Sequence, residues 1–380
     1  MDATIKKELD GIIKKVNRNM ELFKNETPKI SSSLKYTDNM SKDGDWTGSF
    51  WLGMVIMASA YQGWDNYMEY VNYLDSYYDF YNERLERGYK DHDLGFLYQL
   101  YAVDAFRLTN NNKYREMAIK AAQLLMCRYN DKGGFIRAWN RLIMPDEGGR
   151  IIMDCMMNLP LLFCASAMSG MEYMKKGAIA HAEATLNCIR EDGSIYHTYH
   201  FDTISGKPLY GSNEGGYSDE SCWSRGLAWA MYGFYIAWQN INDERFLEAS
   251  VKTSEYFITH LNDDYMPMWD FAVTEGMTGY GCIDTSAAAI ASAVLYRLYD
   301  ILKDETHKTY ADKMLDTLMT KYSHVHDDDS QALLEKCYCG GFNEDGTRIV
   351  NQWSAIFGDY FYMEALLKRS DFDIDMWRLD

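Results

Sequence analysis

Proline is scarce in this chain, with five residues among 380. Proline removes a backbone donor and clashes with the preceding helical turn, so its scarcity permits long unbroken helices. Cations are short as well: 38 Lys and Arg stand against 56 Asp and Glu, a formal charge of −18. Phosphate neutralisation needs clustered Lys and Arg, which excludes a nucleic-acid binder. A small anionic ligand is not excluded, because one arginine can dominate a closed pocket. No stretch approaches the roughly 18 apolar residues of a membrane span, so no membrane partner is expected. The opening Met1-Asp2-Ala3-Thr4-Ile5-Lys6-Lys7 starts an amphipathic helix and lacks the apolar run of a signal peptide. Eight cysteines (127, 155, 164, 188, 222, 282, 337 and 339) include no CxxC pair and lie mostly in apolar helical patterns. That is the pattern of reduced, buried thiols, and a cytoplasmic protein is the expectation. HExxH, G-x-S-x-G, a phosphate-cradling glycine loop and a dinucleotide fingerprint are all missing.

Apolar residues and aromatics are abundant, at 47% and 15%, with 30 Tyr and 10 Trp. Many rings with few prolines fit a helical protein with an aromatic core and an aromatic-lined cleft, a common arrangement where sugars bind. Apolar spacing of three and four residues predicts helices near 2–24, 47–63, 65–87, 92–109, 111–129, 150–168, 170–190, 219–240, 243–262, 284–303, 305–322 and 352–369. No convincing set of alternating strands accompanies them. Asn111-Asn112-Lys113-Tyr114-Arg115-Glu116, Asn242-Asp243-Glu244-Arg245-Phe246-Leu247 and Glu305-Thr306-His307-Lys308-Thr309-Tyr310 each follow one helix and open the next, as Gly63-Trp64-Asp65-Asn66-Tyr67 does earlier. Such short polar turns make antiparallel hairpins. The other junctions (25–46, 130–150, 191–218, 263–283 and 323–351) are long and rich in Gly, Asp, Trp and Tyr, as functional loops are. Short turns at one end and long loops at the other predict an all-α (α/α)6 barrel. The repeats are too divergent and the loops too bulky for an open solenoid. No linker composition marks a boundary, so residues 1–380 are read as one domain.

Two aspartates stand among apolar neighbours: Asp93 in His92-Asp93-Leu94-Gly95-Phe96, and Asp154 in Ile151-Ile152-Met153-Asp154-Cys155-Met156-Met157-Asn158. Apolar surroundings disfavour a carboxylate's charged form and raise its pKa, which suits general acid work at neutral pH. Asp93 also sits where a helix cap would, and a buried ion pair would equally account for Asp154. Trp223, Arg225 and Trp229 lie on neighbouring parts of one helix, with 225 and 229 sharing a face. Arginine between indoles can fork onto a carboxylate while the rings cover a sugar face; the plainer reading pairs Arg225 with Asp219. Further mouth-side motifs are Trp269-Asp270-Phe271, Asp284-Thr285-Ser286 and Gly358-Asp359-Tyr360. His324-Val325-His326-Asp327-Asp328-Asp329 lacks the company of a metal site and reads as a solvated loop, and Cys337-Tyr338-Cys339 reads as structural.

These motifs, in order, resemble glycoside hydrolase family 88, the unsaturated glucuronyl hydrolases. The matching blocks are Trp46-Thr47-Gly48-Ser49-Phe50-Trp51, His92-Asp93-Leu94-Gly95-Phe96, Asp154-Cys155-Met156-Met157-Asn158-Leu159-Pro160-Leu161-Leu162, Trp223-Ser224-Arg225-Gly226-Leu227-Ala228-Trp229, Asp284-Thr285-Ser286-Ala287-Ala288-Ala289-Ile290 and Gly358-Asp359-Tyr360. The resemblance implies the same barrel and no metal or organic cofactor. It implies a small anionic oligosaccharide as substrate, ending in a 4,5-unsaturated uronic acid left by a polysaccharide lyase, whose double bond is hydrated. By resemblance, Asp154 is the acid/base, and Asp93 supports it and keeps it protonated. His92, Trp46, His197, Trp223, Arg225 and Trp229 then line the uronate subsite. Two positions depart from the family pattern: Gly215 stands where a substrate-touching glutamine is frequent, and Ile283 where an arginine is common.

Three other functions fit less well. An unsaturated rhamnogalacturonyl hydrolase acting on pectin fragments shares barrel and chemistry. A sugar epimerase would need paired histidines that His92 and His197 do not clearly supply. An inactive carbohydrate-binding relative would not need both aspartates. The sequence leaves the source polysaccharide and the oligomeric state open.

Overall fold

The computed structural model describes residues 2–63, 67–87, 91–139, 148–343 and 347–379. Twelve helices follow one another: α1 (Ala3–Leu22), α2 (Gly48–Gln62), α3 (Tyr67–Ser76 and Tyr78–Glu86), α4 (Leu94–Tyr98, a π turn Gln99–Val103, and Asp104–Thr109), α5 (Asn112–Met126), α6 (Pro160–Ser169), α7 (Glu172–Thr185), α8 (Ser224–Ile241), α9 (Glu244–Thr259), α10 (Thr285–Leu302), α11 (Glu305–Thr317) and α12 (Ile356–Arg369). Burial divides them into two rings. Residues 48–59, 224–237, 285–298 and 356–367 are buried without a break. A helix apolar on every side belongs inside. By contrast, α1 buries Ile5, Leu9, Ile12 and Val16 along one stripe, as an outer helix does. The even-numbered helices touch in succession, with α6 meeting α8 through the 3-10 turn Met153–Asn158, and α12 returns to α2. The ring is closed, which makes this an (α/α)6 barrel rather than a solenoid.

The hairpin turns have a common construction. Asn110, Asn242 and Lys303 end α4, α8 and α10 in the left-handed conformation. The next residue then caps the following helix: Asn111 accepts from Lys113 N, Asp243 from Arg245 N, and Asp304 from Thr306 N. A left-handed terminator followed at once by an Asx cap reverses the chain in the fewest residues. The fourth such turn, at Trp64-Asp65-Asn66, lies outside the described residues.

The long loops hold short strands that helical spacing does not reveal. Arg150–Ile152, Thr198–Phe201 and Pro208–Ser212 form one antiparallel sheet; Ile30–Ser31, Arg348–Ala355 and Cys337–Phe342 form another. The predicted helix at 352–369 therefore starts at 356, because Ile349, Val350 and Trp353 prefer a pleated, half-buried surface. The predicted helix at 150–168 likewise begins as a strand, passes through the 3-10 turn and becomes α6 only at Pro160. The polar loop at His324–Asp329 keeps residues 326–329 solvent-exposed while its backbone is tied down: Lys15 Nζ donates to the carbonyls of His324 (2.5 Å) and Asp327 (3.0 Å), and His326 pairs with Glu8 at 2.9 Å.

At the C-terminal ends of the inner helices the chain's own tail closes the barrel. Gln99 of α4 donates to the Met376 carbonyl (2.9 Å), Gln239 of α8 to Asp375 (3.0 Å), and Arg297 of α10 to the Ile374 carbonyl (3.2 Å). The Trp377 indole donates to Glu364 of α12 (3.3 Å) and stacks parallel to Phe361, with ring centres 6.0 Å apart. Met376 and Trp377 are completely buried. At the other end, α4 crosses the 3-10 turn with no room to spare: a Cβ on Gly95 would lie 2.2 Å from the Asn158 Cα.

Trp377→Ala should cost about 3–5 kcal/mol of stability, as deletion of a buried aromatic does, read as a lowered urea midpoint; an unchanged midpoint would mean the tail merely lies against the barrel. Gly95→Ala should cost about 1–3 kcal/mol through overpacking against backbone and should lower turnover while the helical circular dichroism persists. Wild-type turnover in that variant would show that the crossing can relax.

Candidate active site

Asp154 is delivered by the first sheet. Ile152 pairs with Thr198, and Met153 N–H donates to the His197 carbonyl at 2.9 Å. The 3-10 turn then presents Asp154 to the His197 side chain. His197 Nε2 lies 2.8 Å from Asp154 Oδ2, and its Nδ1 lies 3.2 Å from Thr198 Oγ1. The imidazole also meets the Trp223 ring edge-on, with centres 5.0 Å apart. Asp154 thus sits in a tight turn and not inside a helix.

Asp93 occupies the N-cap position of α4, yet its side chain makes no capping bond. Its carboxylate instead receives Asn158 Nδ2 at 3.2 Å, with His92 Nε2 3.5 Å away. The same Asn158 nitrogen donates to the Asp154 carbonyl (3.1 Å), and Asn158 Oδ1 accepts Phe96 N–H (2.6 Å). One carboxamide therefore ties the two aspartate-bearing segments together. Both carboxyl groups keep a little surface, 16% for Asp93 and 15% for Asp154.

Their electrostatics differ sharply. Burial, with the neighbouring charges of Asp91 and Asp154, pushes Asp93 well above the usual carboxylate range. Burial also pushes Asp154 up, but His197, through its charge and hydrogen bond, and His92 outweigh it and leave Asp154 below its ordinary value. The sequence had placed the proton on Asp154 with Asp93 as its keeper. In the folded chain the charge is favoured on Asp154 and the proton on Asp93, because the imidazole beside Asp154 stands just before the strand Thr198–Phe201, 43 residues away. Burial pushes His92 down to about 3, and neither ring nitrogen has a hydrogen-bond partner among the described residues.

Around the pair, Trp46 is half-buried and stacks on Phe357, with ring centres 5.1 Å apart. Arg225 lies 4.5 Å over the Trp223 ring and 5.0 Å over Phe357. Its carboxylate partner is Asp284 at 2.7 Å, not Asp219, and the same Nη1 reaches Ser286 Oγ (3.2 Å) and the Tyr338 carbonyl (2.9 Å). Asp284 at the same time caps α10 through Ser286 N–H at 3.0 Å. Trp229, expected to line the subsite, is completely buried, its indole packed between Phe96 and Phe361 at 5.4 Å each. It forms the floor below the aspartates.

Gly215 lies against Trp223: a Cβ there would come within 2.5 Å of the indole. Ile283 is buried, and its carbonyl accepts Gln352 Nε2 at 2.8 Å. Asp359 and Asp270 turn out to be structural. Asp359 holds Tyr36 Oη (2.8 Å) and the Leu333 and Leu334 amides (2.9 Å each); Asp270 holds Tyr217 N–H (2.7 Å) and Ser221 Oγ (2.6 Å). Sequence reasoning gave Asn158 no role and passed over Asp91, whose Oδ1 accepts Asp93 N–H at 3.1 Å. The available signals were spacing alone, four residues after one aspartate and two before the other. No group of three or more His, Cys, Asp or Glu side chains among the described residues is gathered as a metal site, and no helix among them is long and apolar enough to cross a membrane.

Comparison with known proteins agrees with this geometry. The Glycosyl Hydrolase Family 88 model matches residues 12–373. The unsaturated chondroitin disaccharide hydrolase of Streptococcus pyogenes serotype M1 is 33% identical over 371 residues, covering 96% of this chain and 90% of that protein. The crystal structure of an unsaturated glucuronyl hydrolase responsible for the degradation of glycosaminoglycan, from Bacillus sp. GL1, superposes with a TM-score of 0.89 at 30% identity, covering 98% of this chain and 99% of the other. A Streptococcus agalactiae unsaturated glucuronyl hydrolase variant complexed with dGlcA-GalNAc6S gives a TM-score of 0.78 at 28% identity, covering 98% and 93%. With that fold, that paired-aspartate mouth and a match along nearly its whole length, the chain belongs to glycoside hydrolase family 88.

Proposed function

We propose that this enzyme is an unsaturated glucuronyl hydrolase acting on lyase-generated, glycosaminoglycan-type disaccharides, with Asp154 as the acid/base. The observation that carries the reading is the 2.8 Å contact of Asp154 with His197, set one amide away from Asp93. Asp154 Oδ2 and His197 Nε2 share one hydrogen bond. While water reaches the site, the charged form of Asp154 is favoured beside the imidazole. A bound sugar expels water and disfavours the carboxylate, so Asp154 takes up a proton as the site closes over substrate. Asp154 then protonates C4 of the enol ether, and positive charge develops on C5 and the ring oxygen. Asp154, now a carboxylate, takes a proton from the water that attacks C5. The resulting hemiketal opens and expels the remaining sugar, leaving a keto acid.

Asp93, holding its proton, donates a hydrogen bond to a substrate hydroxyl, and the neutral His92 ring sits beside it. Trp46 and Trp223 flank the sugar, with Trp229 behind them. All of Arg225's hydrogen bonds to described residues run through Nη1. Its Nη2–Nε edge is the one that meets the uronate carboxylate, a charge-assisted contact. The indole against Gly215 fills the space that a longer side chain would need, so Trp223 takes over the contact there.

Unsaturated disaccharides from chondroitin, heparin and gellan, together with unsaturated pectin fragments, should discriminate the substrate class. Loss of the near-UV absorbance of the conjugated acid is expected with the glycosaminoglycan members, and a panel in which none is bleached refutes the proposal. Asp154→Asn should lower turnover by about 10²–10⁴-fold, the usual worth of a positioned acid/base, with the circular dichroism retained; near-normal turnover would move the acid role elsewhere.

A further inference from the structure

Helix α4 begins in an unusual way for a helix with aspartate at its N-cap. A capping aspartate normally turns its oxygens onto the N–H groups of the second and third helical residues. Here the third, Phe96 N–H, is taken by Asn158 Oδ1 at 2.6 Å. The backbone of Asp93 itself is held from behind, its N–H donating to Asp91 Oδ1 at 3.1 Å. The segment carrying Asp91 is fixed in turn: Asp91 bridges to Trp139, and His92 N–H donates to the Ala138 carbonyl at 3.2 Å. The cap's ordinary bonds are thus delegated to residues on either side, and the Asp93 carboxyl is left to face the site.

We propose that Asp91 is a positioning residue for the acid/base pair: its carboxylate anchors the turn that turns Asp93 out of its capping role and stands beside the Asp93 carboxyl. This rests on the roles assigned above to Asp93 and Asp154. The surrounding groups favour that division. Asp93 faces Asp91 and His92 on its own segment, Asp154, Cys155 and Asn158 on the 3-10 turn, and Asp45 from the loop before α2. Asp91, itself pushed up by burial, faces Asp45 too; Arg128 stands near both aspartates, Arg84 near Asp91, and Asp91 accepts a backbone N–H. Arg128 reaches the Arg137 and Ala138 carbonyls (3.0 Å each) and Arg84 the Asp45 carbonyl (2.8 Å), so both guanidinium groups are fixed beside this segment. Burial pushes both carboxyls up, Asp93 the further of the two, and the charges of Asp91 and Asp154 add to the rise at Asp93.

The sign follows from the direction of the shift. A carboxyl held above its ordinary pKa donates below that raised value and ceases to as pH rises through it. Removing the charge of Asp91 lowers the raised value, so activity is lost at lower pH. Asp91→Asn retains the Oδ1 acceptor while deleting the charge; Asp91→Ser, which retains a shorter acceptor, replaces it should the first variant not fold. Two readouts are made: the alkaline limb of the kcat–pH profile on the disaccharide that is turned over, and the titration of the protonated Asp93 carboxyl by infrared difference against Asp93→Asn in each background. Both should move down by about 1 pH unit, the effect of one near charge. An unmoved carboxyl titration overturns the proposal, even where turnover falls, since that outcome assigns Asp91 to structure alone. The infrared titration needs no turnover, so an inactive enzyme would count against the proposed function while still testing Asp91.

Discussion

A single carboxamide holds the chemical centre of this protein together. Asn158 donates to Asp93 and to the backbone carbonyl of Asp154, and accepts from the first turn of α4. Its position is possible only because Gly95 lets the two backbones nearly touch. The barrel supplies the frame for that contact, since six helices buried on every side can close a ring only with their N-terminal ends gathered at one mouth. The residues that start those helices then become neighbours, although the chain separates them by 59 and 65 positions.

The same gathering reconciles an acidic protein with an anionic ligand. Exposed helix N-termini present unsatisfied N–H groups and a partial positive charge. Here Arg225, in the first turn of α8, stands beside the start of α10, inside a chain whose formal charge is −18. Asp284 tempers this by capping α10 and holding one nitrogen of Arg225. The guanidinium is thereby oriented between Trp223 and Phe357. A buried charge with one fixed partner keeps its geometry, which a loose surface cation would not.

Legibility in the sequence followed the range of the interactions. Unbroken apolar helices and the Asn/Asp turns between them are local patterns, and they disclosed the barrel. Asp93 and Asp154 stood out because their immediate neighbours are apolar. The contact between Asp154 and His197 was not legible, because it arises only through strand pairing. The partner of Arg225 was missed for the same reason, lying 59 residues away. Strand Arg348–Ala355 was hidden by the apolar rhythm of the helix it leads into. At Asp93, spacing suggested a cap, and the position is one; only three-dimensional neighbours reveal that others do the capping.

The buried tail gives the barrel a single door. With Met376 and Trp377 buried among four inner helices, the bore is plugged by described residues on the side away from the aspartates. A polysaccharide cannot be threaded; only a chain end can be offered.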